Sequence, residues 1–400
     1  MDRELLENAL YPISDQELNR RWRAVRRKMK DAGLDCLVLQ NSESFMCGYV
    51  RWFTDIPTKF GTPITVIFPL EEEMTIITEG NIPSLTLPSW MMRGIREDIV
   101  LPYYRGIHYT NREDGDAAVA VLKNGGYQKI GLIAPAAMSA ATWRCLKESL
   151  PDAEFVDFTE ETDSIKCVKS EEEIALIKKT ADIVDAAFAA VPAFVRPGRR
   201  EYEVANDIRH LLVELGSEEQ MIVVGSAPMG MPASHKMDYL MKRILQPGDQ
   251  VLVMLEVSGP GGMYQEVGRT ICIGEPSKRL LRGWEIAREA QQQAAALMKK
   301  GASPKEIAAF NERFMRERDY PNRGMIFSHG QGYELAERPV IYEAETMRIE
   351  ENMNIAIHPF GITEDAYIFC CDNFLTGING AVRLSHVPQE ILVAGAGTWK

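Results

Sequence analysis

The sequence predicts two domains, an α/β domain over about residues 1–158 followed by an α+β domain over 159–400. Three observations predict this. Strand-like and helix-like segments alternate up to about residue 155. A strong helix start stands at Ser170. Beyond it, two helix pairs are each followed by strand-like segments, a rough internal duplication.

Residues 17–32 have the pattern of an amphipathic helix that stops at Gly33. Short apolar runs at 36–40, 64–68, 74–78 and 129–133 predict strands, with helical patterns at 117–123 and 137–149. Ser170 and Glu173 are spaced as a capping box, and Ile174, Ile177, Ala181 and Val184 follow at helical spacing. That helix is expected to run to about residue 191, ahead of Arg196-Pro197-Gly198, and a second covers 203–216. Strands follow near 248–255 and 268–273, helices near 280–299 and 304–317, then strands with turns from 325 onward.

The bulk properties narrow the function. The chain of 400 residues is 46% hydrophobic and 26% charged, with formal net charge −12. An acidic chain with no basic run argues against a nucleic-acid partner. No run of eighteen apolar residues predicts a membrane helix. The N-terminal stretch has neither the basic start nor the apolar core of a signal peptide. Seven widely spaced cysteines without a CxxC suggest reduced thiols and a cytoplasmic protein.

Several motifs, in order, carry a resemblance. They are Ile165-Lys-Cys-Val-Lys-Ser-Glu-Glu-Glu-Ile, Val195-Arg-Pro-Gly-Arg-Arg-Glu-Tyr-Glu-Val, Gln246-Pro-Gly-Asp-Gln-Val, Tyr264-Gln-Glu-Val-Gly-Arg-Thr and Ser328-His-Gly-Gln-Gly-Tyr-Glu-Leu-Ala-Glu-Arg-Pro. Asn41-Ser-Glu-Ser-Phe-Met-Cys-Gly-Tyr adds a weaker match near the start. Together they resemble the pita-bread family of creatinase, prolidase and aminopeptidase P, with its N-terminal domain in front. The resemblance covers about 160–400 well and implies a homodimeric enzyme acting on a small molecule.

Metal-dependent members hold two divalent ions with two Asp, one His and two Glu, since hard carboxylate oxygens suit such ions. Carried over by position, these fall on Met254, Glu266, His329, His358 and Cys371. A thioether in place of the first Asp neither bridges nor neutralises two ions, so no dinuclear centre is expected. The second histidine of the family's box is Ala336, with Glu337 kept beside it, which weakens an aminopeptidase reading. Creatinase is the family's precedent without metal. Its catalytic histidine matches His235, on the loop 225–235. A pita-bread lyase that splits dimethylsulfoniopropionate has an extra acidic ligand at the position of Glu256.

The expected site is therefore His235, His329, His358 and Glu266. His235 is cast as general base because an imidazole titrates near working pH. Glu266 and Glu337 are cast as the grip on a cationic substrate portion, and His329 and His358 as donors to its carboxylate or an oxyanion. A plain alternative for Glu266 is a structural ion pair with Arg269, and for Cys371 a buried small hydrophobe. Tyr264 and Tyr333 are expected to line the pocket. Arg51, Trp52 and Lys59 are expected to reach the partner's pocket in a creatinase-like dimer.

Three functions stay open. The first is hydrolysis of a C–N bond in a small polar metabolite, with no cofactor. The second keeps a single Fe or Zn ion among Glu256, Glu266, His329, His358 and Cys371, for a lyase acting by proton abstraction and elimination. The third is an Xaa-Pro-type peptidase or a binding pseudoenzyme.

Overall fold

A computed structural model of the chain describes residues 11–43, 45–58, 61–80, 89–102, 110–236, 238–322 and 324–394. The chain divides into two compact units at Lys166/Cys167, so the helix Thr159–Lys166 goes with the first.

The first unit is α/β. Its six strands are β1 (Cys36–Asn41), β2 (Ile64–Pro69), β3 (Met74–Gly80), β4 (Ile95–Pro102), β5 (Lys129–Ile133) and β6 (Glu154–Asp157). They form one sheet in the order β4-β3-β2-β1-β5-β6. The opening helix Asp15–Ala32 is capped by Ser14, whose hydroxyl accepts from Glu17 N, and closes on Gly33 in the left-handed region. Val38, Ile67, Ile77, Ile130 and Leu132 pack one face of the sheet against helices Glu113–Gly125 and Ala140–Ser149.

The second unit is α+β. Strands β7 (Glu219–Pro228), β8 (Asp249–Ser258) and β9 (Tyr264–Cys272) form an antiparallel meander, with β17 (Leu392–Val393) parallel at the β9 edge. A second sheet runs β11-β10-β12-β15-β16, from β10 (Ser328–Gly330), β11 (Glu337–Val340), β12 (Asn354–Ile357), β15 (Asp372–Thr376) and β16 (Ala381–Arg383). The hairpin of β13 (Phe360–Ile362) and β14 (Tyr367–Phe369) stands apart. The capping box at Ser170 and Glu173 is present, and its helix runs Glu171–Phe194 with Pro192 in the last turn.

Strands β8 and β9 are buried along their whole length, so side-chain parity decides what each residue meets. Val251, Val253, Leu255 and Val257 join Val184, Phe188, Ile208 and Leu212 of the helices Glu171–Phe194 and Glu201–Glu214. The alternate residues Leu252 and Met254 join Ile355, Ile357, Phe369 and Cys371. Glu256 and Glu266 share the parity of Met254 and lie in register with each other. No described helix is long and apolar enough to cross a membrane.

Candidate functional site

Glu266 sits mid-strand in β9, His329 mid-strand in β10, and His358 immediately after β12. One donor atom from each lies within 4.8 Å of the others. His329 Nδ1 lies 3.0 Å from the Gly330 carbonyl, and its Nε2 lies 3.8 Å from Glu266 Oε2. A carbonyl only accepts, so this contact puts the His329 proton on Nδ1 and leaves a lone pair on Nε2. His358 Nδ1 is buried with no hydrogen-bond partner among the described residues. Burial pushes both imidazoles below the ordinary value, His358 well below it with His329 and His235 adding to the effect.

Glu256 faces Glu266 across the β8–β9 pair. Gln331 Nε2 donates to Glu256 Oε1 at 2.6 Å. Gln331 is held in turn by Asn373 Nδ2, which donates to Gln331 Oε1 at 2.8 Å and to Asn354 Oδ1 at 3.1 Å. The Glu266 backbone N–H donates to Asn373 Oδ1 at 2.7 Å. The linked carboxamides thus hold the Glu256 carboxylate through Gln331 and the Glu266 backbone through Asn373. Burial, reinforced by Glu266, raises the Glu256 carboxyl well above the usual range, and burial raises Glu266 too. Two buried carboxylates side by side resist ionising together, so the pair holds a proton more tightly than an isolated carboxyl does.

His235 comes from the loop after β7. A Cβ at Gly225 would lie 1.7 Å from the Ser234 carbonyl, so only glycine lets this loop lie against the strand. His235 Nδ1 is 2.5 Å from the Tyr367 hydroxyl, and its ring meets Phe369 edge-on at 4.8 Å. His358 packs against the same Phe369 at 5.8 Å. Phe369 itself approaches β9 only because residue 268 is glycine, where a Cβ would lie 2.2 Å from its ring. Burial lowers the His235 imidazole to about 4, so it is neutral at working pH.

Other expected residues fall elsewhere. The plain alternative for Glu266 does not hold, because Arg269 pairs with Asp372 instead. Glu337 is buried in an ion pair with Lys169, which corrects its expected role as a free grip on substrate. Cys371 is a buried thiol pointing at the Glu266 carbonyl, 3.9 Å away. Burial, then Glu266 and Asp372, push it well above the ordinary thiol value, so without an ion beside it the thiol stays protonated. Tyr264 and Tyr333 are buried, Tyr264 with its N–H on the Gly332 carbonyl at 2.8 Å.

Trp52 does not reach out of its unit. It is wholly enclosed in the first unit, with the Arg21 guanidinium 5.4 Å over its ring and Phe53 edge-on at 5.2 Å. Arg51 is half-buried on the short helix Tyr49–Thr54, where its charge acts on Asp55. Lys59 lies outside the described residues. Sequence reasoning missed Tyr367, Gln331, Asn373 and Asn354. Only Gln331 carried a signal, standing inside Ser328-His-Gly-Gln-Gly.

A divalent metal can be tested against these donors. A carboxylate and two imidazoles converge, and one imidazole has an unpartnered buried nitrogen. The set fits one ion of the iron or zinc kind. Of the remaining positions, Met254 offers a thioether within an apolar cluster and Cys371 a buried thiol. Among the described residues, Glu256 and Cys371 are not part of the converging set.

Comparison with known proteins gives a consistent picture. The profile of metallopeptidase family M24 matches residues 175–388, and that of the creatinase/prolidase N-terminal domain matches 21–168. An Xaa-Pro dipeptidase of Pyrococcus furiosus is 27% identical over 326 residues, 79% of this chain and 88% of that one. A creatinase of Bacillus sp. (strain B-0618) is 27% identical over 331 residues, 80% of this chain and 76% of that one. The solved structure of dipeptidase PepE from Mycobacterium ulcerans superposes with TM-score 0.79 at 23% identity, over 96% of this chain and 99% of that one. That last likeness speaks for the fold alone.

Proposed function

This chain belongs to metallopeptidase family M24, with the family's two-domain pita-bread architecture, and from that premise we propose that it hydrolyses a C–N bond in a small polar metabolite without a dinuclear metal centre. Its relatives are hydrolytic enzymes, and a dipeptidase and a creatinase both break a carbon–nitrogen bond with water. The reading rests on one observation above all. Glu266, His329 and His358 converge, while the neighbours Met254 and Cys371 present a thioether and a thiol where two hard ions would need carboxylate oxygens.

In this reading water adds to the carbon of the scissile bond, and the leaving nitrogen takes up a proton. Glu266, free of Arg269, holds a cationic portion of the substrate. Glu256 beside it, its carboxyl raised well above the usual range by burial and by Glu266, helps hold a proton at that pair. The His329 Nε2 lone pair accepts a proton or a hydrogen bond from the incoming water. Phe369 and Phe360 wall the space beside His358 and exclude solvent.

A second reading keeps one ion on Glu266, His329 and His358, favoured by their convergence and by the buried His358 Nδ1. An ion there would act as a Lewis acid on a substrate oxygen. Protein purified without added ions, assayed for metal content and then for turnover of creatine, other guanidino and amidino acids, and Xaa-Pro dipeptides, separates the readings. Well under one ion per chain with release of an amine from a cationic acid supports the first reading, and one ion per chain supports the second. Two tightly held ions, or turnover of the dipeptides alone, overturns the proposal.

A further inference from the structure

The tautomer of a buried neutral imidazole is set by what its partnered nitrogen meets. At His329 the partner is a carbonyl, and the proton must sit on Nδ1. At His235 the partner is the Tyr367 hydroxyl, 2.5 Å from Nδ1, which can donate or accept. The surroundings of Tyr367 decide between these. The side chain is buried, at 5% exposure, and His235 Nδ1 is the one hydrogen-bond partner of its hydroxyl among the described residues. A phenol has a single proton. Given to Nδ1, it satisfies both groups at once. With Nδ1 protonated instead, the phenolic proton would stay buried without an acceptor, a state folded proteins avoid.

We propose that Tyr367 is a positioning residue that holds His235 with its proton on Nε2, so that His235 meets the substrate as a hydrogen-bond donor to oxygen and not as a base. The inference rests on the C–N hydrolase reading for its functional meaning, but its structural half stands alone. The two imidazoles then divide the work through opposite tautomers. His329 presents a lone pair, and His235 presents an N–H. A substrate carboxylate, or the oxygen that becomes negative when water adds to the carbon, is the class of group that His235 recognises. No proton leaves the ring in this role, so His235 emerges from turnover unchanged. The same tautomer excludes His235 as a metal ligand through Nε2, in keeping with its absence from the converging donors.

The depressed basicity of His235 agrees with this role, because a ring that resists a second proton stays a neutral donor. Tyr367 is displaced in the same sense, its hydroxyl held protonated by burial. The test is two-bond proton–nitrogen correlation NMR on the full-length protein with 15N-labelled histidine, near neutral pH and without substrate. His235 is assigned by the signals that vanish in His235→Ala. The expected wild-type pattern is a protonated Nε2 and a bare Nδ1 at His235. In Tyr367→Phe the pattern should shift toward a mixture of both tautomers. A protonated Nδ1 in the wild type, or an unchanged tautomer in Tyr367→Phe, overturns the proposal. The spectra need no turnover, so failure of the substrate panel would sink the hydrolase reading and leave this assignment standing.

Discussion

Arg269 Nη2 donates to Asp372 Oδ1 at 2.6 Å, and both side chains are wholly buried. Arg269 and Glu266 are three residues apart on β9, an odd spacing that puts them on opposite faces. The arginine therefore spends its charge away from the site. It also donates to the carbonyls of Cys371, Val387 and Pro388, tying β9 to the chain beyond β16. Among the described residues Glu266 is left without a Lys or Arg partner, and that makes it available for chemistry.

Asp372→Ala is expected to destabilise the second unit by about 3–5 kcal/mol, the usual result of leaving a buried charge without its partner. Urea denaturation followed by circular dichroism reads this directly. A loss under about 1 kcal/mol would mean that the carbonyls alone satisfy Arg269.

Trp52→Ala should act on folding. Removing an enclosed aromatic costs about 3–5 kcal/mol, and Trp52 lies in the core of the first unit beneath Arg21. The check is a thermal melt beside the wild type. An unshifted melt with lost activity would restore the surface role expected from the sequence.

These two sites show what the sequence could and could not tell. The Ser170–Glu173 box and the strand β8 were legible because their signals are local, one a spacing of three, the other an unbroken apolar run. Strand β4 was not, since Arg96, Glu97 and Asp98 break its pattern at the sheet edge. Arg51-Trp52 reads the same whether it faces solvent or a core. Tyr367 is 132 residues from His235, and Asp372 is 103 from Arg269, so neither pairing leaves a mark in local spacing. Glu266, His329 and His358 were singled out because the family resemblance placed them at ligand positions, whereas Asn354 and Asn373 behind them belong to no motif.

The half-buried imidazole of His235 makes stability depend on pH. Its ordinary value is 6.5 and its folded value about 4. As pH falls through 6.5 the unfolded chain takes up the proton first, and the folded chain does not follow until about 4. Stability should therefore be complete above 6.5 and fall between 6.5 and 4, by up to about 1.4 kcal/mol per pH unit from this group. His329 and His358 are displaced in the same direction. Urea denaturation at stepped pH, wild type against His235→Gln, isolates the contribution of His235. Equal slopes would show that His235 is not held neutral.

Glu266→Gln keeps shape and hydrogen bonding but removes the negative charge. If Glu266 holds a cationic portion of the substrate, KM should rise at least as much as kcat falls, by about 10-fold or more for a charge-assisted contact. Steady-state kinetics on whichever cationic acid is turned over gives the split. A fall in kcat with KM unchanged would assign Glu266 to the chemical step instead.

The role of His235 can be read from a pair of variants. A glutamine side chain places an amide N–H near the position of the imidazole Nε2–H, yet it cannot take up a proton. If His235 is a donor held by Tyr367, His235→Gln should retain activity within about 10-fold of wild type. His235→Ala should fall by about 10² to 10³, the usual loss when one oxyanion donor is removed. If His235 is the general base that its sequence position suggests, both variants should lose activity alike, by about 10² to 10⁴. The pH profile adds an independent measure. A neutral donor with a value near 4 adds no acid limb of its own until about that pH, whereas Glu266, raised by burial to about 7, gives a separate step near neutrality that both variants keep. The amide in His235→Gln does not titrate, so its acid limb should lack the step near 4. Equal inactivation of the two variants, both folded by circular dichroism, would return the proton to Nδ1 and make Tyr367 the acceptor.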